Sequence, residues 1–398
     1  MRILYIHQYF NTPQTSGATR SYWISKELIR RGHQVIMITT ARGAHSEASR
    51  KWVDGIDVVY VKNRYNNSMS PMRKVLSFAN FVRLSILTAS KEKDIDVVYA
   101  TSTPLTVGII ALWLKRVKGW KFVFEVRDLW PEFPIQIGAV RNPLFIKVLR
   151  WLERRIYKKA EHIVALSPGM KEGVIKTGVK ETKVSMIPNM SKPDKFWPRE
   201  KNNMIAKRFG IDMAKFNVIH LGSMGPANGL GYIIETAKYL RDRNDQSICF
   251  IFMGSGSVER ILKGEVQRYG LENVSFIGYH PMDVVSEVVN CCDASITTFL
   301  NLPVLQTNSP NKLFDSLSAG KPIIVNSSGW TKELVEKNDC GFYVDPESPE
   351  QLADKLLEVK NNKELLMKWG ENARRLSIEV YDKNLLTSKV AEIIEKYV

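Results

Sequence analysis

Two side chains in one short run carry the most chemistry in this sequence. Lys312 and Asp315 stand three residues apart in TNSPNKLFDSLSAGKP, residues 307–322. Ser309 suits a helix N-cap and Pro310 the first helical position. Gly320 and Pro322 stop the helix. That frame puts Lys312 in the first turn, where the helix dipole disfavours a cation unless an anion joins it. The free N–H groups of such a turn bind phosphate, and the Lys312 ammonium would complete the site. Asp315 would share its face and accept hydrogen bonds from sugar hydroxyls. A capped helix with a solvated Lys–Asp pair fits the same spacing, so the rest of the chain must decide.

Short apolar strands alternate with amphipathic helices along both halves. Strands are predicted at 3–7, 35–39, 58–61, 97–100, 122–126 and 163–165, with a helix over 18–31 ending at Gly32. A second set is predicted at 218–221, 248–253, 274–277, 294–298, 323–325 and 342–344. The pattern predicts an α/β chain of two Rossmann-like, doubly wound domains, each a parallel sheet covered on both faces. The three-proline stretch IPNMSKPDKFWPR, residues 187–199, reads as the hinge. Domains are placed at 1–190 and 191–380, with 381–398 a helix packing back on the first.

Ligands of such sheets bind beyond the carboxyl ends of the strands. Loops follow strands there at Ser16-Gly17-Ala18, Gly222-Ser223-Met224-Gly225, Asn228-Gly229, Gly254-Ser255-Gly256 and Gly278-Tyr279. Each alone is only a turn. Together they describe a cleft lined by backbone N–H groups, suited to a nucleotide diphosphate.

The bulk numbers narrow the class. A chain of 398 residues exceeds one ordinary core. The longest apolar run, residues 105–114, is too short to cross a bilayer, and the opening MRILYIHQYF reads as a strand rather than a leader. Cys249, Cys291, Cys292 and Cys340 have no metal-ligand spacing and read as reduced thiols of a cytosolic protein. The net charge of +16 is concentrated: residues 1–200 hold 34 Lys and Arg against 16 Asp and Glu. Such a field attracts an anionic membrane or acceptor. No zinc-finger, helix-turn-helix or RRM pattern accompanies it, so nucleic acid is not an expected partner. Asp94 and Asp96 have D-x-D spacing but precede a strand, at the wrong end of the sheet for a metal–nucleotide site.

At these residues the chain resembles the retaining glycosyltransferases of family 4, which have the GT-B fold. The likeness runs from IHQYFNTPQTSGATRSYWISKELIRRGHQVIMITT through EVRDLWPEFPIQIGAV and ALSPGMKEGV. It continues in IHLGSMGPANGLGYIIETA, FMGSGS, FIGYHP and SPNKLFDSLSAGKPIIV. The middle segments are similar to bacterial members that build O-antigens and capsules with amino or deoxy sugars. The resemblance implies a UDP-sugar donor in the second domain, an acceptor in the first, and no metal or other cofactor. Its implied nucleotide-sugar set is Gly17, Gly222, Ser223, Asn228, Gly254, Tyr279, Thr307, Ser309, Asn311, Lys312, Leu313 and Asp315. Asp315 takes the place of the second glutamate of the E-x7-E motif, which usually holds the ribose.

Three departures from the family stand out. Thr307 replaces the first glutamate of that motif. The usual basic pair near Ser223 and Asn228 is missing, which leaves Lys312 as the nearest cation for the diphosphate. Arg127 and Asp128 stand where many members have an acceptor-side histidine. Asp128, with Arg127 and Trp130 on the acceptor side, either orients or deprotonates an acceptor hydroxyl or caps the following segment. The segment from Arg141 sets Phe145 and Trp151 among Lys147, Arg150, Arg154 and Lys158, the pattern of an interfacial helix on an anionic membrane. A Rossmann helix with a charged exterior has the same pattern. The expected protein is a cytoplasmic enzyme attached peripherally to the inner face of the cell membrane. It would act on a polyprenyl-diphosphate-linked sugar or glycan. A UDP-sugar 2-epimerase and a non-catalytic nucleotide-sugar binder are the rival readings.

Overall fold

A computed structural model describes residues 1–15, 17–41, 47–65 and 69–397. Ser16 of the first glycine loop lies outside the described residues.

The first domain is built on eight strands: β1 (Arg2–Ile6), β2 (Gln34–Thr40), β3 (Ser49–Val53), β4 (Ile56–Val61), β5 (Val97–Thr101), β6 (Lys121–Val126), β7 (His162–Ala165) and β8 (Val184–Met186). They lie in the order β3-β4-β2-β1-β5-β6-β7-β8. The second domain has six: β9 (Phe216–Leu221), β10 (Ile248–Met253), β11 (Val274–Gly278), β12 (Ala294–Thr297), β13 (Ile323–Val325) and β14 (Gly341–Tyr343). Their order is β11-β10-β9-β12-β13-β14. Two strands escape the sequence reading. β3 reads SRKWV, too charged to look like a strand, and pairs antiparallel with β4 at the sheet edge. β8 has three residues and joins the other edge.

Alternation along each strand feeds two cores. Leu4, Ile6, Val98, Ala100, Phe122 and Phe124 point into one layer, with Phe81, Ile110 and Ile156 of the covering helices. Ile3, Tyr5, Val97, Tyr99 and Val123 point into the other. That second layer includes Leu386, Val390, Ala391 and Ile394 of the last helix, Lys383–Glu395, so the C-terminus completes the first domain's core.

The chain crosses between domains twice, and the crossings are bonded to each other. Ser191 N donates to Tyr381 O at 2.8 Å and Lys383 N to Ser191 O at 3.0 Å. Arg20, fully buried at the start of the helix Arg20–Arg30, bonds the carbonyls of Ile187 and Pro188 at the hinge. Its Nε also lies 2.8 Å from Glu125 Oε2. Tyr99 and Thr101 donate to the same carboxylate, so the buried charge has both a cationic partner and neutral donors. Arg374 serves the far end of the crossing, bonding the carbonyls of Phe196 and Ser318 at 2.9 and 2.6 Å.

Candidate active site

The carboxyl ends of both sheets face one cleft of about 560 Å³. From the second domain come the loops after β9, β10 and β11 and the start of the helix Asn311–Ser318. From the first come Gly17 and Ala18 before its first helix, and Arg127 and Asp128 after β6.

The loops after β9 and β10 touch through their backbones. Gly254 has φ +141°, and a Cβ there would lie 1.9 Å from the Gly222 carbonyl oxygen. Gly222 itself has φ +91°. Only glycine allows this approach, which leaves no side chain where the two loops meet. Gly17 stands on the facing wall at φ +106°, a backbone conformation that favours glycine, with the Asn11 side chain beside it.

Lys312, half-buried, brings a cation to the cleft floor. Its Nζ lies 2.8 Å from Asn228 Oδ1 and 3.2 Å from His220 Nε2. Burial pushes its pKa down to about 7. Burial, then the Lys312 charge, hold His220 well below the usual imidazole range, so it is neutral at pH 7 and its Nε2 can accept from the ammonium. Asp315 lies one turn on. Its Oδ1 is 2.5 Å from Lys192 Nζ, a close charge contact rather than an aligned hydrogen bond. Burial raises the Asp315 pKa and Lys192 pulls it back.

On the acceptor wall, Asp128 accepts from Thr103 Oγ1 at 2.9 Å. Burial raises its pKa against the opposing effects of Thr103 and Arg127. Arg127 Nη1 lies 3.2 Å from His7 Nε2, and His7 Nδ1 is 2.8 Å from Ser21 Oγ.

Gly17, Gly222, Ser223, Asn228, Gly254, Tyr279, Ser309, Asn311, Lys312, Asp315, Arg127 and Asp128 all line the cleft. Four expectations need correction. Ser309 is not the N-cap: the helix begins at Asn311 after Pro310, and Ser309 Oγ instead accepts from Asn189 N at 3.0 Å. The hinge claims that oxygen before the helix can use it. Thr307 faces away from the cleft: its Oγ1 bonds Val304 O at 2.7 Å. Its methyl packs on Gly169 of the first domain, where a Cβ would meet it at 2.8 Å. The position serves the contact between domains, with Ser167 Oγ bonding the Thr307 carbonyl. Leu313 is fully buried in the core beneath the helix. Trp130 is half-buried against Phe78 rather than in the cleft.

Residues 202–376 match the family model described as Glycosyl transferases group 1, and residues 16–190 match Glycosyl transferase 4-like domain. The chain belongs to the group 1 glycosyltransferases. A probable glycosyltransferase of Pseudomonas aeruginosa, WbjE, is 21% identical over 90% of this chain and 89% of its own. The alpha-galactosylglucosyldiacylglycerol synthase of Streptococcus pneumoniae is 25% identical over 63% of this chain and 65% of its own. Among solved structures, HepE from Anabaena in complex with UDP and glucose superposes with a TM-score of 0.75 at 18% identity, covering 100% of both chains. That likeness shows the GT-B fold.

This glycosyltransferase also places residues in the cleft that sequence reasoning missed. Lys192 and Phe196 come from the hinge, and His280 and Met282 from beyond β11. The prolines around Lys192 mark a linker, and nothing local in the sequence says that the linker runs along the helix Asn311–Ser318. The helix Pro143–Lys159 starts with Asn142 accepting from Phe145 N and Pro143 at its first position. Leu149, Ile156 and Tyr157 pack inward, while Leu144, Phe145, Val148 and Trp151 stay exposed beside Lys147, Arg154 and Lys158. Arg150 is also exposed, with its guanidinium on Glu132 at 2.9 Å. No helix among the described residues is long and apolar enough to cross a membrane. Nor do three His, Cys, Asp or Glu side chains among them group to hold a metal ion.

Proposed function

We propose that this glycosyltransferase moves a sugar, an N-acetylated amino or deoxy sugar, from a UDP-sugar with retention of configuration. The acceptor in this reading is a polyprenyl-diphosphate-linked sugar or glycan in cell-surface polysaccharide synthesis. The observation that carries it is Lys312, a half-buried lysine whose Nζ meets an amide and a ring but no carboxylate among the described residues, lining the same cleft as Gly222 and Gly254. A diphosphate supplies the missing negative charge; the two glycines give it room rather than donors, because Gly222 N and Gly254 N already bond Met253 O and Gly278 O at 2.8 and 2.7 Å. Asp315 then meets the ribose, Tyr279 the base, and Asp128 the acceptor hydroxyl. Cationic side chains serve the diphosphate in this reading, and no metal or other cofactor is invoked.

Two relatives support the wider setting. One is named for a diacylglycerol glycolipid, and HepE was solved with UDP and glucose. The exposed apolar residues of the helix Pro143–Lys159 fit peripheral attachment to the inner face of the cell membrane. Met72, Val75 and Leu76 are likewise exposed on the helix Pro71–Ala89. Both helices cover the same core layer of the first domain.

A panel of nucleotide sugars, each incubated with the protein and a lipid-linked acceptor, tests the reading. It requires UDP release and a glycosylated product that keeps the donor's anomeric configuration. Release of another nucleotide from the panel, or inversion, contradicts it. Tight donor binding without turnover on any acceptor supports a non-catalytic binder, which the inward turn of Thr307 away from the cleft would suit.

A further inference from the structure

Lys192 is 4% exposed, yet it belongs to the linker between the domains. A lysine on a linker ordinarily carries its ammonium out to water. Here the backbone leaves no such course. Asn189 N is bonded to Ser309 Oγ, Ser191 Oγ to the Phe314 carbonyl at 3.1 Å, and Lys192 N to Ser318 Oγ at 2.9 Å. The linker is thus fastened along the helix Asn311–Ser318. The Lys192 stem runs past Phe196, with Nζ 5.9 Å from that ring's centre. It ends 2.5 Å from Asp315 Oδ1, at the cleft wall.

A buried cation costs several kcal/mol unless something in the site repays it. A strut between hinge and helix could be built from apolar side chains at no such cost. The pair has one property an apolar strut lacks: it fixes the charge and direction of a carboxylate facing the cleft. An ionised carboxylate has about four lone-pair positions. Lys192 Nζ rests against Oδ1 as a charge contact, and no hydrogen bond among the described residues engages Oδ2, which is left for a vicinal diol. Burial raises the Asp315 pKa and the Lys192 charge opposes that rise, so the ammonium favours the ionised form, which accepts hydrogen bonds better than the acid.

We infer that Lys192 is a positioning residue, which holds the Asp315 carboxylate at the cleft wall and aimed at the two hydroxyls of the nucleotide's ribose. The inference rests on the reading of Asp315 as the ribose partner. It adds that the ribose site is assembled jointly by the linker and the second domain.

The test compares UDP with 2′-deoxy-UDP by calorimetry on the full-length protein. The wild type should prefer UDP by about tenfold, the value of one hydrogen bond to a charged group. Lys192→Met should lose most of that preference, and Lys192→Arg should keep it. Inorganic pyrophosphate, which has no ribose, should bind the wild type and Lys192→Met equally. A strut alone would weaken both nucleotides by the same factor and leave the preference intact, and that result overturns the inference. Asp315→Asn separates the two layers. If it removes the preference while Lys192→Met keeps it, only the positioning role fails. If Asp315→Asn keeps it, the ribose reading fails and the inference falls with it. Should Lys192→Met not fold, Lys192→Gln, which retains the stem and a donor without the charge, decides the same way.

Discussion

Lys312 Nζ lies 2.8 Å from Asn228 Oδ1 and 3.2 Å from His220 Nε2, so a half-buried ammonium is held by an amide oxygen and a neutral ring. Neither partner carries charge. The cation bears its desolvation cost in the free protein, and an incoming anion would recover it. This relationship links the glycine loops, which clear room for a diphosphate, to the helix that carries Asp315.

A pH dependence follows from it. Burial lowers the Lys312 pKa to about 7, and a bound diphosphate would raise it. Below pH 7 the lysine is charged both free and bound, so its contribution to UDP affinity is flat. Above pH 7 the free protein has lost the proton and must take it up on binding. Affinity should then fall by up to about tenfold per pH unit until the pKa of the complex is passed. Calorimetry at pH 8 in buffers of differing ionisation enthalpy should show proton uptake. Proton release, or none exchanged, would count against this role for Lys312.

Asp128 should act on the acceptor side alone. Asp128→Asn keeps the size and the place beside Thr103 but removes the base. Transfer should drop by about 10²–10⁴-fold, the usual contribution of a positioned general base, while UDP affinity stays within twofold or so of the wild type. Loss of UDP binding would make Asp128 a structural residue. Since burial raises the Asp128 pKa, the acid limb of the pH–rate profile should sit above the range of a free aspartate. It should be absent in the variant.

Arg20 should matter for folding more than for chemistry. Arg20→Leu leaves Glu125 buried without its cation and removes two bonds to the hinge. Breaking a buried pair from one side costs about 3–5 kcal/mol. Urea unfolding should show a loss of that order, and a change within about 1 kcal/mol, the worth of an exposed pair, would contradict the account.

Membrane attachment should depend on charge. Anionic headgroups attract nearby Lys and Arg by about 1 kcal/mol each, screened beyond about 10 Å at ordinary salt. Vesicle sedimentation should favour anionic over neutral lipid and weaken as salt rises. It should also weaken when Lys147, Arg150, Arg154 and Lys158 are changed together to Gln. Arg150 should contribute least, because Glu132 already holds it. Equal binding to neutral and anionic vesicles at low salt would leave the basic surface to serve an anionic acceptor directly.

The sequence made the strands and glycine loops legible because both rest on local physics. A run such as ICFIFM in β10 buries both faces of a central strand whatever surrounds it. Gly222 and Gly254 announce backbone that side chains would block. What stayed hidden depends on partners far along the chain. The oxygen of Ser309 looks like a cap until Asn189, 120 residues away, takes it. Thr307 occupies a motif position whose family role is to hold a sugar, yet here it packs on Gly169 of the other domain. Lys192 reads as a linker lysine until the linker is laid along the helix Asn311–Ser318. β3 looks too charged for a strand, but an edge strand tolerates charge and even gains from it against unwanted pairing.

The most direct test of the account is the UDP affinity of Lys312→Ala, measured by calorimetry at pH 7 beside the wild type, with folding checked by thermal unfolding. Loss of a charged hydrogen bond to phosphate should cost about 1.5–3 kcal/mol, or roughly 10–150-fold in Kd. A folded Lys312→Ala that binds UDP as tightly as the wild type would contradict the assignment of the cleft.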